Sequence, residues 1–140
     1  MGVDQLIDRD GAVCVWCGRE PWRGDLTAEH LLPRSRRGRT RPENLAVACR
    51  SCNRRRRSRP VSAYVRERHE AGAAPRLDLL TAALDRLAAS DSPVHADYGK
   101  RQLELLDRIP APSRRALMAP GTPCGYAAIA SFAWRRNVAA

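Results

Sequence analysis

The 140-residue chain has few aromatic side chains and almost no lysine. Aromatic residues make up 5% of the sequence, with a single Phe, and all but one of the 25 basic residues are arginine. Much of the apolar content is alanine, which buries little surface. Core burial alone is therefore not expected to stabilise so short a chain. We expect an additional source of stability, such as a bound metal ion.

Long hydrophobic runs are also missing. No stretch of about 18 apolar residues occurs, so a transmembrane helix is excluded. The first ten residues carry four charges and no apolar segment, so no secretory signal is expected. These features predict a cytoplasmic protein. In a reducing compartment, paired cysteines bind metal more often than they form disulfides.

Positive charge is concentrated in one part of the sequence. Residues 34–59 hold eleven arginines and one acid, a net charge of +10 that equals the net charge of the whole chain. Such a cluster favours a polyanionic partner, nucleic acid first and an acidic membrane second; the alternative is a solvated basic surface without a partner. Contacts to phosphate carry no sequence information, so weak sequence specificity is expected. The predicted nucleic-acid-binding residues are Arg34, Arg36, Arg37, Arg39, Arg54, Arg55, Arg56 and Arg57.

Hydrophobic periodicity and the placement of Gly and Pro predict a mixed secondary structure. Short strands or hairpins are expected at 12–16, 26–32 and 44–48, and loops at 34–42 and 110–123. Helices are expected from about residue 51 to Pro60, at 61–70, along Leu77, Leu80, Leu84 and Leu87, from Ser92-Pro93 to about Ile109, and at 127–134. His69 and His95 are expected at the surface. Trp16 and Trp22 are expected to pack around a small metal-bound core, and the alternative is that they are stacking platforms.

Two CxxC pairs have the spacing of a metal site. Cys14 and Cys17 are separated from Cys49 and Cys52 by 31 residues. Two such turns supply four thiolates to one tetrahedral centre, the arrangement that suits Zn²⁺, and four protein ligands leave no open position for catalysis. A structural zinc site is therefore predicted. The alternative is a pair of redox motifs or buried free cysteines. Cys124, outside both pairs, is expected to have no role.

The residues between the two pairs offer chemistry that a structural zinc ion does not. Adjacent Glu29 and His30 combine a carboxylate suited to a hard metal with an imidazole able to transfer protons near neutral pH. Asn53 follows the last cysteine and could add an amide oxygen to the same metal. Taken alone, these residues could equally be a surface histidine and a helix cap.

In combination, these motifs resemble the HNH endonuclease family in its zinc-stapled form. The resemblance covers about residues 11–59 and rests on CxxC, Glu-His followed by Pro33, Asn44-Leu45, and CxxC-Asn in this order. It implies an α+β fold with a small ββα-metal (His-Me finger) core. Residues 1–72 would form the nuclease domain, and residues 73–140 a C-terminal helical appendage of unknown role.

The resemblance also implies the roles of individual residues. His30 would be the general base, Asn44 would brace the loop that carries it, and Glu29 and Asn53 would bind a catalytic Mg²⁺ or Mn²⁺ beside the structural Zn²⁺. The chain departs from the usual family pattern at three places. Glu29 occupies a position that is more often Asp, the last metal ligand is Asn53 and not His, and the arginines from Arg54 to Arg57 stand where the family often has Lys-Gly.

Together these features predict a metal-dependent endonuclease that hydrolyses or nicks DNA, of the prokaryotic or phage type. One alternative is a zinc-stapled nucleic-acid-binding module without catalysis. Another is a protein-interaction domain, in which the C-terminal helices would form a homodimer or bind a protein partner.

Overall fold

A computed structural model describes residues 1–110 and shows a small α+β fold. The described part contains one two-stranded antiparallel sheet and five α-helices. The strands are β1 (Leu26–His30) and β2 (Leu45–Cys49), and the helices are α1 (Val3–Asp10), α2 (Arg50–Arg56), α3 (Val61–Glu70), α4 (Leu77–Ala88) and α5 (Pro93–Asp107). The predicted loop at 110–123 and helix at 127–134 lie beyond residue 110, apart from Pro110 itself.

Strands β1 and β2 with helix α2 form the predicted ββα unit. The register pairs Leu26 with Cys49 and His30 with Leu45. The chain passes from β2 into α2 without a loop, because Cys49 ends the strand and its Sγ caps the helix by accepting a hydrogen bond from the Cys52 N–H (3.5 Å). The α+β prediction with this core is confirmed. The ββα unit sets β1, β2 and the start of α2 side by side.

The helices beyond residue 72 share one apolar core with the ββα unit. Leu80, Leu84 and Leu87 of α4 and Leu106 of α5 are buried in the same cluster as Trp16, the four cysteines and β2. Helices α4 and α5 approach each other closely at Gly99, where an added Cβ would lie 2.6 Å from the backbone nitrogen of Ala88. The C-terminal helices therefore contribute to the burial of the first half of the chain.

Several predictions about local structure are wrong. Residues 12–16 form no strand, although the Val15 N–H donates to the Val47 carbonyl (3.0 Å) beside β2. Helix α1 was not expected from the sequence. His69 and His95 are buried and not at the surface, and Trp22 is 81% exposed and not packed. Within residues 1–110, no helix is both long and apolar enough to cross a membrane.

Candidate functional site

The four cysteines of the two CxxC pairs meet at one point. Their Sγ atoms all lie within 4.8 Å of one another, and all four residues are buried. A turn stabilises the first pair: the Cys14 carbonyl accepts a hydrogen bond from the Gly18 N–H (2.9 Å), and Gly18 has φ +68°, which favours glycine. Four sulfurs around a tetrahedral zinc ion lie about 3.8 Å apart for a Zn–S distance of about 2.3 Å. The cluster therefore has the donor set and compactness of a structural zinc site.

Electrostatics within the cluster also favour a cation. Hydrogen bonds from Cys14 and Cys52 lower the pKa of Cys17 well below its usual range. The pKa values of Cys14 and Cys52 are raised, because hydrogen bonding to neighbouring thiols and burial disfavour further ionisation. The raised pKa values of Cys14 and Cys52 mean that their ionisation beside Cys17 needs a compensating positive charge. A bound divalent ion supplies that charge and holds coordinating thiols in the deprotonated form.

Asn44 braces the loop that follows β1. Its side chain is fully buried, and its Oδ1 accepts a hydrogen bond from the Leu32 N–H (2.8 Å). Its Nδ2 donates to the carbonyls of Leu32 (3.1 Å) and Arg39 (2.9 Å). One amide thus connects both ends of the loop at 32–39. Gly38 permits the tight closure, since an added Cβ there would lie 1.8 Å from the Leu32 carbonyl oxygen.

Glu29 forms a buried ion pair with Arg56. Glu29 Oε1 accepts from Arg56 Nη1, and Oε2 accepts from the Trp16 indole N–H (3.2 Å). Glu29 is 2% exposed and Arg56 is fully buried. Burial raises the pKa of Glu29, whereas the charge and hydrogen bond of Arg56 lower it. Both carboxylate oxygens of Glu29 therefore already accept hydrogen bonds from other side chains.

Arg56 has more partners than Glu29 alone. Its guanidinium donates to the carbonyls of His30 (2.7 Å) and Leu31 (2.6 Å) and lies 5.1 Å from the centre of the Trp16 ring. Arg56 thus joins α2 to the end of β1. A fully buried guanidinium has no access to phosphate in this conformation. In this respect Arg56 differs from the other seven arginines predicted to bind nucleic acid, which are all exposed.

His30 ends β1 and is half-buried. The Thr40 hydroxyl lies 2.9 Å from its Nε2, within hydrogen-bonding distance. Burial lowers the pKa of His30, and the charges of Arg34 and Arg56 lower it further. The imidazole is therefore neutral at physiological pH, the form that can accept a proton.

Asn53 lies on α2 and faces β1. Its Nδ2 donates to the Thr27 hydroxyl (2.9 Å) and to the Ala28 carbonyl (3.2 Å). The structure thus places Asn53 against the strand that carries Glu29 and His30. In this arrangement neither carboxylate oxygen of Glu29 is free for a divalent ion, because one accepts a hydrogen bond from Arg56 and the other from Trp16. Glu29 would have to leave that ion pair to bind a cation.

Exposed arginines of α2, together with Arg57 directly after it, line an open cleft. The cleft measures about 900 Å³ and is bounded by Asp25, Arg50, Ser51, Arg54, Arg55, Arg57, Ser58 and Arg59. Arg59 is committed elsewhere, since it pairs with Glu67 and lies 4.9 Å from the centre of the Tyr64 ring. Arg50, Arg54, Arg55 and Arg57 give the cleft its positive charge, and Asp25, whose Oδ1 lies 3.8 Å from Arg50 Nε, is the acidic residue among its lining.

Arg57 follows α2 with φ +56° and ψ −129°, a backbone conformation that glycine adopts without a steric penalty. A positive φ of this kind is uncommon for a residue that carries a side chain.

Comparison with known proteins supports the resemblance over the same segment. The model of the HNH endonuclease family matches residues 14–59, which contain all four clustered cysteines, Glu29, His30, Asn44 and Asn53. The family resemblance is confirmed for that third of the chain. Searches of curated proteins and of solved structures gave no match to the chain.

Two contacts of the site were not foreseen from the sequence. Nothing in the local sequence predicts that Arg56 is buried, because it is one of four consecutive arginines. His95 of α5 accepts a hydrogen bond at Nε2 from the Arg39 N–H (3.1 Å), which ties the C-terminal helices to the loop at 32–39. A residue 56 positions away along the chain gives no pattern that could reveal this contact.

Proposed function

We propose that this protein is an HNH-type endonuclease that hydrolyses phosphodiester bonds in DNA. The observation that carries the proposal is the pair of hydrogen bonds by which the Asn44 side chain connects both ends of the loop at 32–39. His30, whose imidazole is neutral, lies just before this loop. The exposed arginines along α2 and the loop at 32–39 support DNA as the substrate, because phosphate groups are bound by such clusters.

In this proposal, His30 accepts a proton from the attacking water as the water oxygen bonds to phosphorus. The P–O bond to one sugar oxygen breaks, and that leaving oxygen takes up a proton from solvent. Loss of a general base costs about 10²- to 10⁴-fold in rate. Asn44 and Arg56 do not meet the substrate; they orient the backbone at His30 and in the loop that follows it. The four cysteines bind a structural Zn²⁺. Dependence on Mg²⁺ or Mn²⁺, with Glu29 and Asn53 as ligands, belongs to the same proposal, under the condition that Glu29 leaves Arg56.

A second candidate function is a zinc-stapled DNA-binding module without catalysis. The Glu29–Arg56 ion pair favours it, because a carboxylate held by a guanidinium and an indole behaves as a structural group. The same arginines would then bind DNA.

The remaining parts of the proposal concern organisation. Residues 1–72 would carry the nuclease chemistry, and residues 73–140 would form the C-terminal appendage. The hydrogen bond from the Arg39 N–H to His95 supports a role of α5 in holding the loop at 32–39. A cytoplasmic location fits four reduced, clustered cysteines. Self-association or binding to a protein partner through the C-terminal helices stays a prediction.

The test is incubation of the zinc-loaded protein with supercoiled plasmid, without added divalent ions and with Mg²⁺ or Mn²⁺. We expect nicked or linear product only with the added ion, and at least a hundredfold less with His30→Ala. His30→Ala should bind a DNA duplex as the wild type does, since a base acts on the transition state. Binding without cleavage by the wild type under every condition would favour the non-catalytic module.

A further inference from the structure

Trp22 is a large aromatic side chain left in solvent. It is 81% exposed, whereas Trp16 is completely buried. An indole in water leaves a large apolar surface hydrated, and exposed aromatic groups of this size often mark binding sites. Trp22 comes directly before the short 3₁₀ turn Arg23–Asp25, within the segment that leads into β1.

The turn that carries Trp22 is held in place from two sides. Arg23 pairs with Asp4 of α1 (2.9 Å), and Arg50 Nη2 of α2 donates to the Gly24 carbonyl (3.2 Å). The indole ring lies over Gly24, where an added Cβ would come within 2.1 Å of the ring atom Cζ3. The absence of a side chain at residue 24 therefore leaves room for the ring in this position.

The surroundings of Trp22 identify the chemistry of its ligand. Arg50, which contacts the turn, also lines the cleft along α2 together with Arg54, Arg55 and Arg57. Asp25 of the same turn also lines the cleft, with its Oδ1 3.8 Å from Arg50 Nε, so one negative charge stands against these four positive ones. An exposed ring beside this net positive strip matches a nucleic-acid strand, whose phosphates meet the arginines while a base stacks on the ring. Bases in a duplex are stacked on one another, so only an unpaired base offers a free face.

We propose that Trp22 is a stacking platform for an unpaired DNA base, next to a backbone path along Arg50 and Arg54. The inference deepens the proposed function, because it specifies single-stranded or locally opened DNA as the form that the protein binds. It depends on the DNA-binding part of that function and not on catalysis.

The experiment measures binding of the full-length, zinc-loaded protein to two labelled probes without added Mg²⁺ or Mn²⁺. The probes are a 20-nucleotide oligodeoxythymidylate and a 20-base-pair duplex, and binding is followed by fluorescence anisotropy. The variants are Trp22→Ala, Trp22→Phe, which keeps an aromatic face, and Val94→Ala, which trims an exposed apolar side chain on α5.

We expect Trp22→Ala to bind the single strand at least fivefold more weakly, with less than a twofold change on the duplex. Base stacking on an aromatic ring is worth about 1–3 kcal/mol, or roughly 5- to 140-fold in affinity. Trp22→Phe should retain most of the affinity, and Val94→Ala all of it. The wild type should also lose tryptophan fluorescence on binding the single strand, and Trp22→Phe should lose much less.

An unchanged affinity of Trp22→Ala for the single strand, or an equal loss on both probes, would overturn the inference. The first outcome would leave Trp22 to another partner, such as a protein. Plasmid cleavage is scored separately. If the wild type does not cut plasmid but Trp22→Ala loses single-strand binding, the proposed nuclease activity is wrong and the stacking role of Trp22 is supported. If the wild type cuts plasmid and Trp22→Ala binds the single strand normally, the nuclease activity is supported and the stacking role is wrong.

Discussion

The carboxylate of Glu29 and the guanidinium of Arg56 form an ion pair that excludes water almost completely. The pair lies between β1 and α2, with the Trp16 ring against the guanidinium. Since Arg56 also binds the carbonyls of His30 and Leu31, it stabilises the backbone that presents the proposed base. The arginine cluster therefore contains one member with a structural task.

Removal of the Arg56 charge should destabilise the fold strongly. Arg56→Met leaves Glu29 buried without its partner, which typically costs about 3–5 kcal/mol. Urea denaturation followed by circular dichroism measures the loss. Arg54→Met on the same helix is the matched control, because Arg54 is exposed, and it should change stability by less than about 0.5 kcal/mol. Equal urea midpoints for the two variants would contradict the structural role of Arg56.

Zinc should be a condition for folding. We expect one Zn²⁺ per chain by elemental analysis, and Cys49→Ser should lose it together with much of the folding free energy, since structural zinc contributes on the order of 10 kcal/mol in small domains. Cys124→Ser changes the one cysteine outside the two CxxC pairs and should retain the metal. A zinc-free protein that melts as the wild type does would rule this site out.

Stability should fall as the pH drops below about 6.5. Burial lowers the pKa of His95, with Arg41 and Arg39 acting in the same direction and Glu43 against it. Burial also lowers the pKa of His69. In the unfolded chain these groups take up protons near their usual pKa of about 6.5, whereas the folded chain takes them up only at lower pH. The unfolded state then binds more protons, so acid favours it, by up to about 1.4 kcal/mol per pH unit and histidine.

The measurement is the free energy of unfolding in urea at intervals from pH 7.5 to 5.5. His95→Gln removes one titrating group while offering an acceptor to the Arg39 N–H, and it should reduce the slope. A slope that is unchanged in His95→Gln, or a wild type that gains stability on acidification, would show that His95 is not held neutral.

The salt dependence of DNA binding should distinguish the exposed arginines of residues 34–59 from exposed arginines elsewhere in the chain. If about half of the arginines between residues 34 and 59 reach phosphates, log affinity for a duplex should fall against log salt with a slope of about −4 to −5, from roughly −0.9 per contact. Arg54→Ala/Arg55→Ala should flatten the slope by up to about 2, equally on two unrelated duplexes. Arg101→Ala, an exposed arginine on α5, should leave it unchanged. An effect confined to one duplex would indicate base reading instead.

Short-range sequence patterns were enough to predict several parts of this protein. The spacing of the cysteines predicts the cluster of the two CxxC pairs, and the placement of Gly and Pro predicts the helix Val61–Glu70. The order of the motifs along the chain identifies Glu29, His30, Asn44 and Asn53 as candidate site residues. Four cysteines at such spacing have few other uses. The structure confirms their convergence, and the family comparison confirms the resemblance over residues 14–59.

The fold in three dimensions determines which of several identical residues is buried and which distant groups meet. Arg54, Arg55 and Arg56 are identical in sequence, but the helical turn of α2 points Arg56 towards Glu29 and the other two to solvent. His95 reaches Arg39 because α4 and α5 fold back onto the same core as β2. Burial and long-range contacts depend on how helices and strands pack in three dimensions, and no local sequence pattern records that packing.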